Sequence, residues 1–228
     1  MSILRNHLSD AVTDALRSNH SLRKRTLRGA LANIKQAEVD KPTLSARSVL
    51  EREKPTEKLL RGLNGILPWD IRVRQVKQTT MSFHAQKNAR KKRYEYRIYN
   101  GLVLSPFYHG YFYHLIPELK MEAMHNAAER IIGLKNFRGF SASASKIRNT
   151  YRQVFLSRFR KRGKQILYQI EATGFLHHMV RNIVGTLVEV GLEKRSPLDI
   201  EKIFKTKDRR NAGPTAPAHG LYLVKVWY

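Results

Sequence analysis

The sequence predicts an α+β fold in which helices cover a sheet, and three observations support this class. Residues 93–99 alternate in polarity with a period of two, with Tyr94, Tyr96 and Ile98 on one face, as in a half-buried strand. Residues 175–190 instead place their apolar side chains on one broad arc at helical spacing. Strands and helices follow one another without strict β-α-β alternation, which favours the α+β class.

The segment 1–58 differs in composition from the rest of the chain. It carries the basic cluster Arg23–Arg28, contains few aromatic residues and ends near a charged break at 51–55. We interpret it as an atypical N-terminal segment, either disordered, helical or a damaged copy of another element.

The elements of the first half follow in order from Leu59. Residues 63–73 predict the end of a helix, a turn and the start of a strand. The strand at 93–99 ends at Asn100-Gly101. A helix is predicted over 119–132, where Gly133 stops it.

The second half predicts a hairpin, two helices and a closing strand. Strands at 153–159 and 165–172 are joined by the basic tip 160–164. After the 175–190 helix, Ser196 to Asp199 resembles a capping box that starts a helix running to about Thr206. Residues 221–227 alternate as a strand.

Composition limits the function to a few classes. The 228 residues suffice for one large or two small domains, and 43 Lys and Arg against 18 Asp and Glu give a net charge of +25. Such an excess indicates a polyanionic partner. The lack of cysteine excludes disulfides and thiolate chemistry, and no apolar run reaches the length of a membrane span. We therefore expect a cytoplasmic nucleic-acid-binding protein.

Arg181 is the unexpected residue of the apolar helix. It lies outside the apolar arc, on a face with His177 and Gly185, and Gly185 indicates close approach of another backbone. A charge packed in this way requires an anion. A structural carboxylate, an RNA phosphate and a catalytic aspartate are the three alternatives.

Other chemical motifs are weak. Adjacent helical residues project about 100° apart, so His177 and His178 do not readily chelate one metal ion. The sequence has no glycine-rich nucleotide loop and no support for a serine triad. Tyr94 follows a basic run, which suits stacking of an unpaired base, although a core-facing tyrosine is the simpler interpretation.

Several strings together resemble the bacterial tRNA pseudouridine synthase A family. The most specific are the helix string from Phe175 to Gly185 and the final string from Thr215 to Leu223. The others occur in the same order at 63–71, 83–85, 93–96, 127–137 and 150–152. The resemblance extends from about residue 59 to 228.

This resemblance implies a cytoplasmic homodimeric enzyme that needs no cofactor or metal. It converts uridines of the tRNA anticodon stem-loop to pseudouridine, and the base must leave its stack to be reached. The implied fold is a mixed, largely antiparallel sheet flanked by helices, the pseudouridine synthase fold, with an incomplete or altered N-terminal domain. Residues 59–80 would be a remnant of that domain, and 81–228 the C-terminal domain.

The resemblance also implies roles for individual residues. Tyr94 would stack on the target base, Leu221 would help to wall the pocket, and Arg181 would pair with the nucleophilic aspartate. The basic residues predicted to follow the RNA backbone are Arg90, Lys91, Lys92, Arg93, Lys146, Arg148 and Arg152.

The family's nucleophile motif, Gly-Arg-Thr-Asp, is not found in this sequence. The nearest string, Arg25–Ala30, has leucine where the aspartate belongs, and Asp40 lacks the flanking residues. Asp70 belongs to another family motif, and Gln86 replaces the usual arginine. We therefore identify no catalytic nucleophile and expect this chain to be inactive; a non-catalytic basic RNA-binding module is the alternative function.

Three explanations of the missing motif stay open. They are a truncated or frameshifted reading of a normal gene, which we favour, an inactive paralogue, or an aspartate supplied by residues 1–58 in an unrecognised way.

Overall fold

The computed structural model describes residues 55–142 and 148–228 and divides the chain into two compact units, Met1–Phe83 and His84–Tyr228. The predictions for segment 1–54 and for Lys146 lie outside the described residues. No helix in the described part is long and apolar enough to cross a membrane.

The described part of the first unit contains helix α1 (Pro55–Ile66) and a turn. The Asn64 side chain holds the chain that follows, because its amide donates to the Val73 carbonyl at 2.9 Å and accepts the Val73 N–H at 2.7 Å. The strand start predicted within 63–73 is wrong, since the residues after the turn form no strand. Asn64 takes the backbone groups that a neighbouring strand would bond.

The described part of the second unit is built on a six-stranded sheet. Its strands are β1 (Lys91–Asn100), β2 (Tyr113–Leu115), β3 (Gly133–Asn136), β4 (Tyr151–Arg162), β5 (Gln165–Ala172) and β6 (Leu221–Trp227). Strand β1 pairs with β5 on one side, and β4 and β3 continue the sheet beyond β5. On its other side β1 pairs antiparallel with β6 and parallel with β2. The sheet is thus mixed and largely antiparallel, which confirms the predicted class.

The strands follow the predicted patterns closely. In β1 the alternation buries Tyr96 and Ile98, and the strand ends at Asn100. The β4–β5 hairpin extends further than predicted, through Arg162, so that only Gly163 and Lys164 form the turn. Gly163 has φ +57°, in the left-handed region that glycine adopts readily and that tight hairpin turns require.

The described part of the second unit has three helices: α2 (Met121–Glu129), α3 (Met179–Gly191) and α4 (Asp199–Thr206). Ile200 and Ile203 of α4 belong to the same core cluster as the buried residues of the sheet and of α3. Helix α3 is buried along almost its whole length, and α2 contacts both α3 and β4. Two predicted helices are shorter than expected. Helix α2 occupies 121–129 of the predicted 119–132, and α3 begins at Met179 because His178 has φ +60°, which interrupts a right-handed helix.

The capping box predicted before α4 is present in part. The Ser196 N–H donates to Asp199 Oδ2 at 3.0 Å, whereas the Ser196 hydroxyl accepts the Leu198 N–H at 3.3 Å. The helix begins at Asp199 and ends at Thr206, which confirms the predicted end.

Candidate functional site

The candidate site begins with two tyrosines on β1, on the sheet face that packs against the core. Tyr94 lies opposite Leu223 of β6, and Tyr96 lies opposite Leu221. Leu221 is half-buried at the first position of β6 and packs against the core cluster that contains Tyr96. The structure therefore brings two predicted substrate-binding residues, Tyr94 and Leu221, to neighbouring positions of the same sheet face.

Tyr94 is half-buried, so its ring is neither a fully packed core side chain nor a free one. Its ring meets that of Phe175 edge to face, with centroids 5.0 Å apart and planes at 85°. Burial raises the pKa of the Tyr94 hydroxyl above its usual range. An aromatic ring that is fixed on one side and accessible on another suits the stacking of an unpaired base.

Tyr96 is buried and connects β1 to the segment before β6. Its hydroxyl donates to the Pro217 carbonyl at 2.7 Å. Burial raises the pKa of Tyr96, with a contribution from Tyr113 and an opposing effect of Arg181. Tyr96 therefore anchors one end of the segment 212–217, which we call the clamp loop.

Arg181 lies in the first turn of α3, and the clamp loop holds its side chain. Its Nε donates to the Ala216 carbonyl at 2.6 Å, while its own carbonyl accepts the Ala216 N–H at 3.1 Å. Among the described residues no carboxylate forms an ion pair with Arg181, and its terminal nitrogens donate no hydrogen bond. The guanidinium is fixed at Nε, and its other N–H groups are left for an anion.

Gly185 confirms the predicted close approach of another backbone. A Cβ at this position would overlap the Pro214 carbonyl oxygen of the clamp loop. A Cβ on Gly213 would likewise lie 2.8 Å from Thr186 Cα. Arg181 and Gly185 thus share one helix face, as predicted, and that face is covered by the clamp loop.

His177 is not part of this helix face, contrary to the prediction, because the helix begins only at Met179, after the left-handed backbone of His178. The rings of His177 and His178 stack instead, with centroids 3.9 Å apart. Burial, together with His177, Arg181 and Arg209, lowers the pKa of His178. In the described ranges no group of three or more histidines and carboxylates could hold a metal ion.

The predicted RNA-backbone residues fall on both faces of the sheet. Lys91 and Arg93 lie on the face opposite Tyr94, where they bind Glu171: Lys91 Nζ lies 2.7 Å from Oε2, and Arg93 Nε donates to Oε1 at 2.6 Å. The strand alternation places Lys92 on the Tyr94 face. Arg90, just before β1, is exposed.

The remaining predicted basic residues lie before and at the start of β4. Arg148 is exposed. The Arg152 side chain donates to the Asn149 carbonyl at 3.0 Å, and burial lowers its pKa. Part of the hydrogen-bonding capacity of the Arg152 side chain is therefore used by the backbone of its own segment.

Three residues that the sequence reasoning missed form a polar cluster behind Arg181. Asn182 is fully buried in α3, and its Oδ1 accepts from the Thr215 hydroxyl at 2.6 Å and from Arg209 Nη2 at 3.1 Å. Its Nδ2 donates to the Phe140 carbonyl at 2.7 Å. The sequence contains one indication of this cluster: Asn182 lies inside an apolar helix, and a buried amide requires hydrogen-bond partners.

Comparison with known proteins identifies the class first. A family model described as tRNA pseudouridine synthase matches residues 127–228, which include α3, the clamp loop and β6.

Relatives over a longer stretch then identify the particular family. A protein of Thermoanaerobacter sp. (strain X514) named tRNA pseudouridine synthase A is 45% identical over 174 residues, which are 76% of this chain and 71% of the relative. Proteins of the same name from Exiguobacterium sp. and Francisella tularensis subsp. novicida are 39% and 36% identical, over 77% and 78% of this chain and 71% and 69% of their own lengths. The chain belongs to the tRNA pseudouridine synthase A family, whose members are isomerases.

Proposed function

We propose that this chain binds the anticodon stem-loop of tRNA and holds a uridine base against Tyr94, beside Arg181 and Leu221. The observation that carries this proposal is the Arg181 guanidinium, which the clamp loop fixes while no described carboxylate neutralises it. The net charge of +25 supports a polyanionic partner. In the RNA complex, the terminal nitrogens of Arg181 donate hydrogen bonds to a phosphate or to the uracil base.

We further infer that this chain does not isomerise the bound uridine. The family's reaction cuts the glycosidic bond and rejoins the base through carbon. It depends on the aspartate of the Gly-Arg-Thr-Asp motif, and this motif is not found in the sequence. In support of this inference, no carboxylate of the described residues forms an ion pair with Arg181, the implied partner of that aspartate. The chain is a pseudouridine synthase by family that retains the RNA-binding half of the site.

The non-catalytic alternative, a basic RNA-binding module, has a specific observation in its favour. The tip of the β4–β5 hairpin exposes Arg160, Lys161, Arg162 and Lys164, and no described acidic side chain pairs with them. These cations give RNA phosphates a second contact, apart from Tyr94.

Binding to a tRNA anticodon stem-loop is expected to weaken steeply as salt rises, because the released counterions dominate the affinity. Tyr94→Leu should weaken binding by about 1–3 kcal/mol through loss of base stacking, whereas Tyr94→Phe should bind like the wild type. Fluorescence anisotropy between about 50 and 300 mM salt measures both effects. The slope of the logarithm of the binding constant against the logarithm of the salt concentration should correspond to at least about two contacts between basic residues and phosphates. Equal loss in both variants would contradict base stacking.

Catalysis is tested on the same preparations. Unmodified tRNA incubated with an excess of the protein should contain no new pseudouridine when mapped chemically. Conversion would overturn the inferred inactivity and leave RNA binding intact, whereas salt-independent binding would overturn the RNA-binding proposal.

We also propose that the chain acts in the cytoplasm as the homodimer implied by its resemblance. The sheet face opposite Tyr94 supports a second copy, because Phe155 is 49% exposed there, and Lys91 of that face lies over both the Phe155 ring and the Trp227 ring. Light scattering should give twice the chain mass, and Phe155→Glu should give the monomer. A monomeric wild type contradicts the dimer.

A further inference from the structure

We propose that Asn182 and Thr215 are positioning residues for Arg181. Through the clamp loop they fix the Ala216 carbonyl, and this carbonyl orients the guanidinium so that its terminal nitrogens remain available. The value of this orientation for RNA rests on the proposed function, whereas the orientation itself does not.

The first step is the double contact between Arg181 and Ala216. The Ala216 N–H donates to the Arg181 carbonyl at 3.1 Å, and the Ala216 carbonyl accepts Arg181 Nε at 2.6 Å. Ala216 therefore forms hydrogen bonds with both the backbone and the side chain of Arg181. Any shift of Ala216 along the helix moves the acceptor on which the planar guanidinium is aligned.

The second step is the anchor of the neighbouring residue. The Thr215 hydroxyl donates to Asn182 Oδ1 at 2.6 Å, and Asn182 is fully buried on α3 beside Arg181. Asn182 is itself fixed, because its Nδ2 donates to the Phe140 carbonyl at 2.7 Å. Adjacent loop residues thus bond adjacent helix residues, and the register of the loop on the helix is set.

The third step is a bridge from Arg209, because the Thr215 hydroxyl can accept a hydrogen bond as well as donate one. Arg209 Nη2 donates to both Asn182 Oδ1 and Thr215 Oγ1 at 3.1 Å, and Arg209 Nη1 donates to the Ala212 carbonyl at 3.2 Å. The hydroxyl is donor to Asn182 and acceptor from Arg209, so its removal breaks two bonds at once.

The rest of the clamp loop has anchors that do not depend on Thr215. The Gly213 N–H donates to the Thr186 hydroxyl at 2.9 Å, and the Pro217 carbonyl accepts from Tyr96. The side chain of Thr215 lies at an exposed position of the loop. Loss of its hydroxyl should therefore loosen the middle of the clamp loop without unfolding the second unit.

The test compares Thr215→Val, which removes the hydroxyl at nearly constant shape, with Thr215→Ser, which keeps it. The readout is the Nε–H signal of Arg181 in a ¹⁵N-resolved NMR spectrum, assigned by its loss in Arg181→Lys. In Thr215→Val this N–H should exchange with solvent about tenfold faster or more and change its chemical shift. Thr215→Ser should restore both to wild-type values.

The matched control is Thr80→Val, which removes an exposed threonine hydroxyl of the first unit that bonds Ser82 at 3.2 Å. It should leave the Arg181 signal unchanged. A purely structural role of Thr215 would lower the melting temperature of Thr215→Val while the Arg181 N–H kept its exchange rate, and this result would overturn the proposal. Equal behaviour of the valine and serine variants would overturn it as well.

RNA affinity separates this inference from the proposed function. A faster Arg181 N–H in Thr215→Val together with weaker stem-loop binding supports both. A faster N–H with unchanged affinity supports positioning and contradicts the part of Arg181 in RNA binding.

Discussion

Gly185→Ala is expected to destabilise the second unit by about 2–3 kcal/mol, although alanine is the better helix former. The added Cβ would overlap the Pro214 carbonyl oxygen and would also lie 2.8 Å from Pro214 C. Both atoms are backbone, so no flexible side chain can swing away. Either α3 or the clamp loop must move, and the bonds that Thr186, Asn182 and Arg181 make to the loop weaken together.

Urea denaturation monitored by circular dichroism gives the free energy of unfolding for this variant. Gly62→Ala is the matched control, because Gly62 lies in α1 and has nothing within 4 Å of an added Cβ. This control should stabilise α1 by about 0.5–1 kcal/mol through helix propensity alone. Neutral behaviour of Gly185→Ala would show that the loop is free to move away from the helix.

The elements that the sequence predicts well are those whose pattern depends on neighbours along the chain. Strand β6 was predicted with its observed bounds, 221–227, and the alternation of β1 correctly predicts Tyr96 and Ile98 as buried. Helix ends were less predictable where a single backbone conformation decides them. The left-handed φ of His178 delays α3 to Met179, and no periodicity of apolar residues reports such a conformation.

The same local logic explains which parts of the site could be predicted. Gly185 indicated a close backbone, because a glycine inside an apolar helix needs a packing reason. The identity of that backbone, the clamp loop, depends on contacts between residues about thirty positions apart. The roles of Thr215 and Arg209 follow from that loop and could not be derived from spacing along the chain.

Strand alternation divides the basic run before Tyr94 between the two faces of the sheet. A strand presents alternate residues to opposite faces, so Lys91 and Arg93 cannot share a face with Tyr94. The structure places these two cations around Glu171 and stacks Lys91 on Trp227, with Nζ 4.2 Å from the ring centroid. Their contribution to stability is therefore a separate question from RNA binding.

Glu171→Gln is expected to destabilise the second unit by about 2–3 kcal/mol near neutral pH. The Glu171 carboxylate is 7% exposed and binds Lys91 and Arg93, which are 32% and 31% exposed. Loss of one partner of a buried ion pair costs about 3–5 kcal/mol, and partial exposure lets these two cations recover some hydration. Glu118→Gln, an exposed site with no ion pair among the described residues, should change little.

The destabilisation by Glu171→Gln should depend on pH in a defined direction. Burial alone would raise the pKa of Glu171, but the hydrogen bonds and charges of Lys91 and Arg93 outweigh it and lower the pKa in the folded protein. A lowered carboxyl pKa stabilises the fold above the unfolded value of about 4.3, and this stabilisation is lost as pH falls through the folded pKa. Urea titrations at intervals from pH 7 to pH 2.5 should therefore show wild type and Glu171→Gln converging in acid, because a protonated glutamate resembles glutamine. A difference that stayed constant over this range would show that Glu171 contributes through shape and not through its charge.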